Sequence, residues 1–252
     1  MKYRIRGMAE FLLTVAVALS ALGQTAADIS QYPSLALLPG KGPTNIWSGL
    51  PAKWAQRHKE WAGHGGEDRG AIVFLGDSIT EGWHSLTNDF PRLHVVNRGI
   101  GGDTTRGVLY RLKADVLDLD PKAIVLLIGT NDVGNGADPD DVASNIRQIL
   151  ADIKAFNPHV PVVVCKVMPR YDRQIDRAGK LKKLNGEIEA EIKGDPEFAL
   201  CDTWSPFADA EGHCLASEFP DLLHPNEVGY AKWHAALELI FGDLKLTSPA
   251  QN

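Results

Sequence analysis

The chain is poor in cysteine, with three in 252 residues, at Cys165, Cys201 and Cys214. None of them stands at zinc-finger spacing, and none is followed by the His and Asn context of a thiol nucleophile, which removes a zinc ribbon and a cysteine hydrolase from consideration. Cys165 ends the apolar run Val162-Val163-Val164-Cys165, where a thiol acts as a small hydrophobe. In an oxidising compartment two of the three can join, and Cys201 with Cys214 is the closer pair in sequence. Metal-ligand spacing is also missing. His58, His64, His84, His94, His159, His213 and His234 form no His-Glu-x-x-His or paired-ligand pattern, so no metal is expected. Gly101-Gly102 does not complete Gly-x-Gly-x-x-Gly, so no dinucleotide is expected and no cofactor is implied. There is no basic run in a chain of formal charge −6, which leaves nothing to neutralise the phosphates of nucleic acid or of an anionic membrane. No apolar run approaches the roughly 20 residues that span a bilayer, so stable membrane insertion is not expected. Internal repeats and low-complexity tracts are absent as well.

What is present begins with residues 1–27, which read as a signal peptide. A basic start (Lys2, Arg4, Arg6) leads into the apolar stretch Phe11 to Leu19 and then into small residues suited to cleavage after Gly23 or Ala27. The alternative is a membrane anchor, for which the run is short. Cleavage implies an exported protein, periplasmic or extracellular, and removing Lys2, Arg4, Arg6 and Glu10 takes the formal charge from −6 to −8. Residues 28–45 are rich in Pro, Gly and Ser and read as an extended lead-in with little packing of its own. With 44% hydrophobic residues the remainder suffices for one sizeable core, so residues 46–245 are expected to form one domain followed by a tail at 246–252.

Within that domain Trp54, His58 and Trp61 recur at helical spacing. From Ala71 onward short apolar runs alternate with stretches of helical period. The runs are Ala71 to Leu75, His94 to Val96, Ala123 to Ile128, Val160 to Val164 and Phe198 to Cys201; the helical stretches are Thr105 to Val116, Asp140 to Phe156, Ile175 to Ile192 and Glu227 to Phe241. Continuously apolar strands are buried on both faces, which predicts a three-layer α/β/α fold around a parallel sheet of about five strands in flavodoxin-like order.

Ligands of such sheets bind beyond the carboxyl ends of the strands, and the unusual polar residues collect there. Ser78 follows the first strand, Gly101-Gly102-Asp103 the second, Gly129-Thr130-Asn131-Asp132 the third, and Asp221 and His224 lie in the long loop after the fifth. A serine becomes a nucleophile when an oriented imidazole takes its proton. In Asp221-Leu222-Leu223-His224-Pro225 a carboxylate three residues before a histidine is placed to accept a hydrogen bond from its Nδ1–H, although Asp-x-x-His also occurs as a plain helix cap. Pro225 fits the first position of the helix that follows. Donors for an oxyanion are at hand in the Ser78 and Gly102 amides and the Asn131 side chain. Taken singly, Gly102 is as well explained by a tight turn, Asn131 by an Asx turn or cap, and Ser78 by a helix cap; it is their joint placement at successive strand ends that favours chemistry. Trp83 and His84 either line the site or belong to a helix face or the core. Arg98, Asp103 and Arg106 are candidates for holding the second strand's loop by charge pairing.

Four segments, Gly76-Asp77-Ser78, Gly99-Ile100-Gly101-Gly102-Asp103-Thr104-Thr105, Gly129-Thr130-Asn131-Asp132 and Asp221-Leu222-Leu223-His224-Pro225, resemble in order the conserved blocks of the GDSL/SGNH hydrolase superfamily. The second, continued through Arg106 to Leu112, is most similar to the branch holding the catalytic subunits of platelet-activating-factor acetylhydrolase and many exported bacterial esterases. The resemblance runs from about Trp54 to about Ile240, and the fourth letter of the family name is Ile79 in this chain. It implies the SGNH hydrolase fold, Ser78 as nucleophile, His224 as general base, Asp221 as its orienting partner, and Ser78, Gly102 and Asn131 as the oxyanion hole. Residue 80 is Thr, which sets the segment apart from the Gly-x-Ser-x-Gly elbow of ordinary α/β-hydrolases.

The function implied is a cofactor-free serine esterase removing a short acyl group, acetyl first. Export and the acidic charge favour a polysaccharide or other sugar ester, and a phospholipid-like ester comes second. A binding module that kept the fold and lost the chemistry is the remaining reading, and every position the chemistry needs is filled. Because the acetylhydrolase branch includes dimers, a homodimer is one assembly the resemblance implies. Selectivity is expected in the loops at Tyr171 to Gly179 and Trp204 to Pro220.

Overall fold

The computed structural model of the protein describes residues 30–172 and 177–247. The expected signal peptide, the end of the C-terminal tail and residues 173–176 of the Tyr171 to Gly179 loop lie outside the described residues. Five strands, β1 (Ile72–Gly76), β2 (Val95–Gly99), β3 (Ala123–Leu127), β4 (Val162–Cys165) and β5 (Phe198–Cys201), form one sheet in the order β2-β1-β3-β4-β5. All four pairings are parallel, as the flavodoxin-like order requires. Gly76 at the end of β1 is level with Gly99 of β2 and Leu127 of β3, so three loops leave the sheet side by side.

The apolar strands divide their side chains between two cores because successive residues point to opposite faces. Val73 and Leu75 of β1, Ile124 and Leu126 of β3 and Val162 and Val164 of β4 meet one set of helices. These are α1 (Leu50–Ala62), α2 (Thr105–Asp115), α3 (Pro139–Phe156) and α4 (Ala178–Ile192). Ile72, Phe74, Val125, Leu127 and Val163 face the other way, toward α5 (Glu227–Asp243) and the short turns between β1 and β2. Trp83 is buried there, its ring 5.7 Å from Phe74 and 4.8 Å from Trp233, so of its two sequence readings the core is the one realised. His84 is exposed.

Three expectations change. Cys165, Cys201 and Cys214 are all free and buried, so Cys201 and Cys214 form no disulfide. Sequence proximity misleads here because Cys201 is brought level with Cys165 by the β4–β5 register, while the Cys214 thiol donates to the Leu222 carbonyl at 3.3 Å. Pro225 is not the first residue of α5: Asn226 caps that helix, accepting from the Val228 and Gly229 amides, and the proline stands one position outside. The lead-in contributes one buried apolar side chain over residues 30–45, Leu38, yet it is docked along α2 and α3. Arg106 donates to the carbonyls of Leu38, Pro39 and Gly42, Asn145 to that of Lys41, and Tyr32 to Asp152 at 2.6 Å. A Pro- and Gly-rich composition signals missing regular structure, but carbonyls that no ladder uses remain open to side chains from elsewhere.

Candidate active site

Ser78 opens a single helical turn, Ser78–Glu81, directly after β1. The cap of that turn is Asp77, whose Oδ1 accepts the Ile79 amide at 2.9 Å, so the Ser78 hydroxyl is free of capping. It meets His224 Nε2 at 2.8 Å, across 146 residues of sequence. On the far side of the ring His224 Nδ1 lies 2.6 Å from Asp221 Oδ2. The other oxygen of Asp221 accepts the Leu223 and His224 amides at 3.0 and 2.7 Å, closing a local turn; no helix begins there, so the helix-cap reading is not realised, and the first oxygen faces the imidazole. Burial pushes the Asp221 carboxyl up, and the hydrogen bonds from the His224 side chain and the two amides outweigh it, leaving the group below the ordinary carboxylate range. Leu222, between the acid and the imidazole, adopts φ 66°, a left-handed conformation costly for a leucine. The Tyr171 amide and the Cys214 thiol, both donating to the Leu222 carbonyl, hold it there.

The loop after β2 makes a turn in which the Asp103 amide donates to the Ile100 carbonyl at 3.0 Å. Gly102 occupies its third position with φ 86°, which a residue without Cβ adopts without strain. The tight-turn reading of Gly102 therefore holds, and the same turn leaves the Gly102 amide without an acceptor among the described residues. The turn abuts the serine, since a Cβ on Gly101 would lie 3.5 Å from Ser78 Cβ. Asn131, after β3, uses one amide hydrogen to donate to the Asp103 carbonyl at 2.9 Å and keeps the second. The structure thus joins Ser78, Asp221 and His224 in one hydrogen-bonded chain and sets Gly102 and Asn131 on a shared turn beside it.

The support beneath this turn departs from the charge pairs read in the sequence. Asp103 is held by Arg111 at 2.6 Å, both side chains fully buried, and by Trp54 Nε1 at 3.2 Å. Arg111 also donates to the Gly76 carbonyl at the end of β1. Arg98 instead pairs with Asp68, and Arg106 serves the lead-in. Burial pushes Asp77 and Asp132 up to about 7 and raises Asp103 as well, with Asp103 and Asp132 adding to the rise at Asp77 and Asp103 to that at Asp132. Glu81, Lys53 and Trp47 carry no motif in the sequence, and Arg111 lies in the Arg106 to Leu112 continuation of the second block with no role assigned to it. Glu81 accepts the Gly101 amide and Lys53 Nζ, each at 2.8 Å, and Trp47 Nε1 would lie 2.9 Å from a Cβ on Gly102. The one signal for Glu81 was its place one turn after Ser78; Arg111 stood inside an apolar run, the mark of a buried and paired cation.

An imidazole linking a serine hydroxyl to a carboxylate, at the carboxyl edge of a three-layer α/β/α sheet, is the arrangement by which serine hydrolases activate a nucleophile. The chain belongs to the GDSL-like Lipase/Acylhydrolase family, whose model matches residues 74–232. It is 32% identical over 187 residues to the human platelet-activating factor acetylhydrolase IB subunit alpha2, covering 71% of this chain and 80% of that protein. A crystal structure of a GDSL-like lipase from Bacteroides thetaiotaomicron superposes with a TM-score of 0.67 at 26% identity, covering 74% of this chain and 98% of that one. An acetylxylan esterase from Geobacillus stearothermophilus shares the fold, with a TM-score of 0.54 at 20% identity over 69% of this chain and 95% of its own. The protein is an enzyme of the carboxylic ester hydrolase type.

Proposed function

We propose that the protein is a serine esterase that removes acetyl groups from carbohydrate through an acyl-enzyme, with Ser78 as nucleophile. The observation that carries the reading is the chain from Ser78 Oγ through His224 to Asp221, with contacts of 2.8 and 2.6 Å. Ser78 Oγ attacks the ester carbonyl as its proton passes to His224 Nε2, and Asp221 stabilises the imidazolium that results. The carbonyl oxygen, now negative, takes hydrogen bonds from the Ser78 and Gly102 amides and the free Asn131 hydrogen. Collapse breaks the bond to the alcohol, which leaves with the proton from His224. Water then gives a proton to the same nitrogen, attacks the acyl-enzyme, and releases the acid while Ser78 regains its hydrogen.

Acetyl as the acyl group is supported by the acetylhydrolase name of the human relative and by the name of the Geobacillus enzyme. Carbohydrate is supported by that second name, by the acidic charge and by Trp47, 49% exposed beside Gly102, which offers an aromatic face at the rim of the site. Export rests on the basic and apolar pattern of residues 1–27. The acetylhydrolase relative favours a second reading, an ether-phospholipid acetyl ester. Purified mature protein offered acetylated xylan and an acetylated ether phospholipid in parallel is expected to release acetate faster from the xylan. It is also expected to cleave 4-nitrophenyl acetate faster than the dodecanoate. Acetate from the lipid alone overturns the carbohydrate assignment, and preference for the long chain overturns the acyl assignment.

A further inference from the structure

Gly102 can serve an oxyanion only if its amide keeps a fixed place relative to Ser78, and its own sequence does nothing to keep it there. Gly101 and Gly102 stand together at the centre of the turn, and two residues without Cβ leave many backbone conformations open. Displacement of a donor by about 0.5 Å is enough to spoil a catalytic constellation. A restraint from outside the turn is therefore required.

Glu81 supplies one. Its backbone belongs to the same helical turn as Ser78, three residues on, and its amide donates to the Asp77 carbonyl at 2.8 Å. Its Oε2 accepts the Gly101 amide at 2.8 Å, so one side chain connects the serine's turn to the donor's turn. The glycines let the two turns come together: a Cβ on Gly99 would lie 2.2 Å from the Glu81 nitrogen, and one on Gly101 would lie 2.7 Å from Glu81 Oε2. Lys53 of α1 donates to the same oxygen at 2.8 Å, and both side chains of the pair are about three-quarters buried, at 29% and 26% exposure. With the Gly101 amide occupied by Glu81 and the Asp103 amide by Ile100, the Gly102 amide is the one N–H of Gly101, Gly102 and Asp103 left without an acceptor among the described residues.

We propose that Glu81, backed by Lys53, is a positioning residue for the oxyanion hole, fixing the Gly101-Gly102 turn against Ser78 so that the Gly102 amide faces the reacting carbonyl. This rests on the assignment of Ser78 and Gly102 above. The part that matters is the acceptor at its reach from the backbone, not the negative charge as such, because the bond to Gly101 is made by one oxygen.

Steady-state kinetics on 4-nitrophenyl acetate, with melting temperatures on the same preparations, separate the possibilities. Glu81→Ala is expected to lower kcat by about 10-fold or more with KM nearly unchanged, a partial loss of the effect of removing a donor outright. Glu81→Gln keeps an oxygen at the same reach and is expected to stay within about threefold of wild type, while Glu81→Asp keeps the charge, withdraws the oxygen and is expected to resemble Glu81→Ala. Lys53→Met is expected to fall between wild type and Glu81→Ala. The Gln and Asp variants decide the matter if the alanine variant does not fold. Wild-type kcat in Glu81→Asp, or a Glu81→Gln as slow as Glu81→Ala, overturns the proposal. Ser78→Ala run alongside tests the underlying assignment separately: if it is inactive while Glu81→Ala and Glu81→Asp match wild type, the positioning role alone is lost.

Discussion

Asp77 and Ser78 are neighbours with opposite surroundings. The serine is partly exposed and engaged by an imidazole, whereas the aspartate is buried, gives one oxygen to the Ile79 amide and has no partner for the other among the described residues. Burial first, then the nearby Asp103 and Asp132, raise its carboxyl to about 7. An unfolded aspartate titrates near ~3.9, so the folded state holds this proton more tightly than the unfolded chain does. The stability this contributes is fully present below about pH 4 and is lost as pH rises through about 7, a tenfold difference in proton affinity between the two states being equivalent to roughly 1.4 kcal/mol. Asp77→Asn keeps an acceptor for Ile79 and cannot ionise. Its melting temperature relative to wild type is therefore expected to be higher at pH 8 than at pH 5; a difference independent of pH would contradict the assignment. At this scale the sequence was informative about Ser78, Gly102, Asn131, Asp221 and His224, because each follows a strand or closes a loop whose end the topology dictates. It carried no signal for Lys53 and none for Glu81 beyond its place one turn after Ser78. Their contact spans 28 residues and depends on how closely α1 approaches the turn after β1, which no spacing encodes.

The element that organises the site from below is α2. Its residue Arg111 reaches Asp103, which closes the turn carrying Gly102 and whose carbonyl anchors Asn131, and also the carbonyl of Gly76 just before Asp77 and Ser78. One buried guanidinium thus ties the exits of β1 and β2. Removing one partner of such a pair leaves the other charge buried and unpaired, at a cost of about 3–5 kcal/mol, whereas replacing both costs much less. Arg111→Met is accordingly expected to lower the unfolding free energy in urea by that amount, and Arg111→Met with Asp103→Asn to recover a substantial part of it. Equal losses in the two proteins would show that the pair does not act as a unit. The elements themselves were legible: all five strands and five long helices follow apolar runs and helical periods, with ends displaced by a few residues. Their terminal caps were not. The proline before α5 read as a helix start, but an asparagine side chain that accepts two amides makes the stronger boundary.

For the whole molecule, the order of strands is what turns residues at positions 78, 102, 131, 221 and 224 into one group. A parallel sheet with β1 between β2 and β3 delivers the loops after these three strands to a single edge, and α5 follows the loop that returns the acid and the imidazole to it. The lead-in completes this edge from outside the sheet. The Thr44 carbonyl accepts from Thr104 at 3.0 Å, and Trp47, just beyond the lead-in, leans on Gly102, so the segment that reads as a linker ends beside the site. That was illegible because irregular backbone docks through carbonyls, which every residue has. The two loops in which selectivity is expected meet one another, the rings of Tyr171 and His213 lying 4.6 Å apart.

The central claim is that Ser78 is the nucleophile of this assembly, and covalent labelling of the intact protein by a fluorophosphonate tests it most directly. The expected result is a single adduct on Ser78 in the wild type, found by peptide mass, and none in Ser78→Ala under the same conditions. An unlabelled but folded wild type, or an adduct that persists in Ser78→Ala, would contradict it.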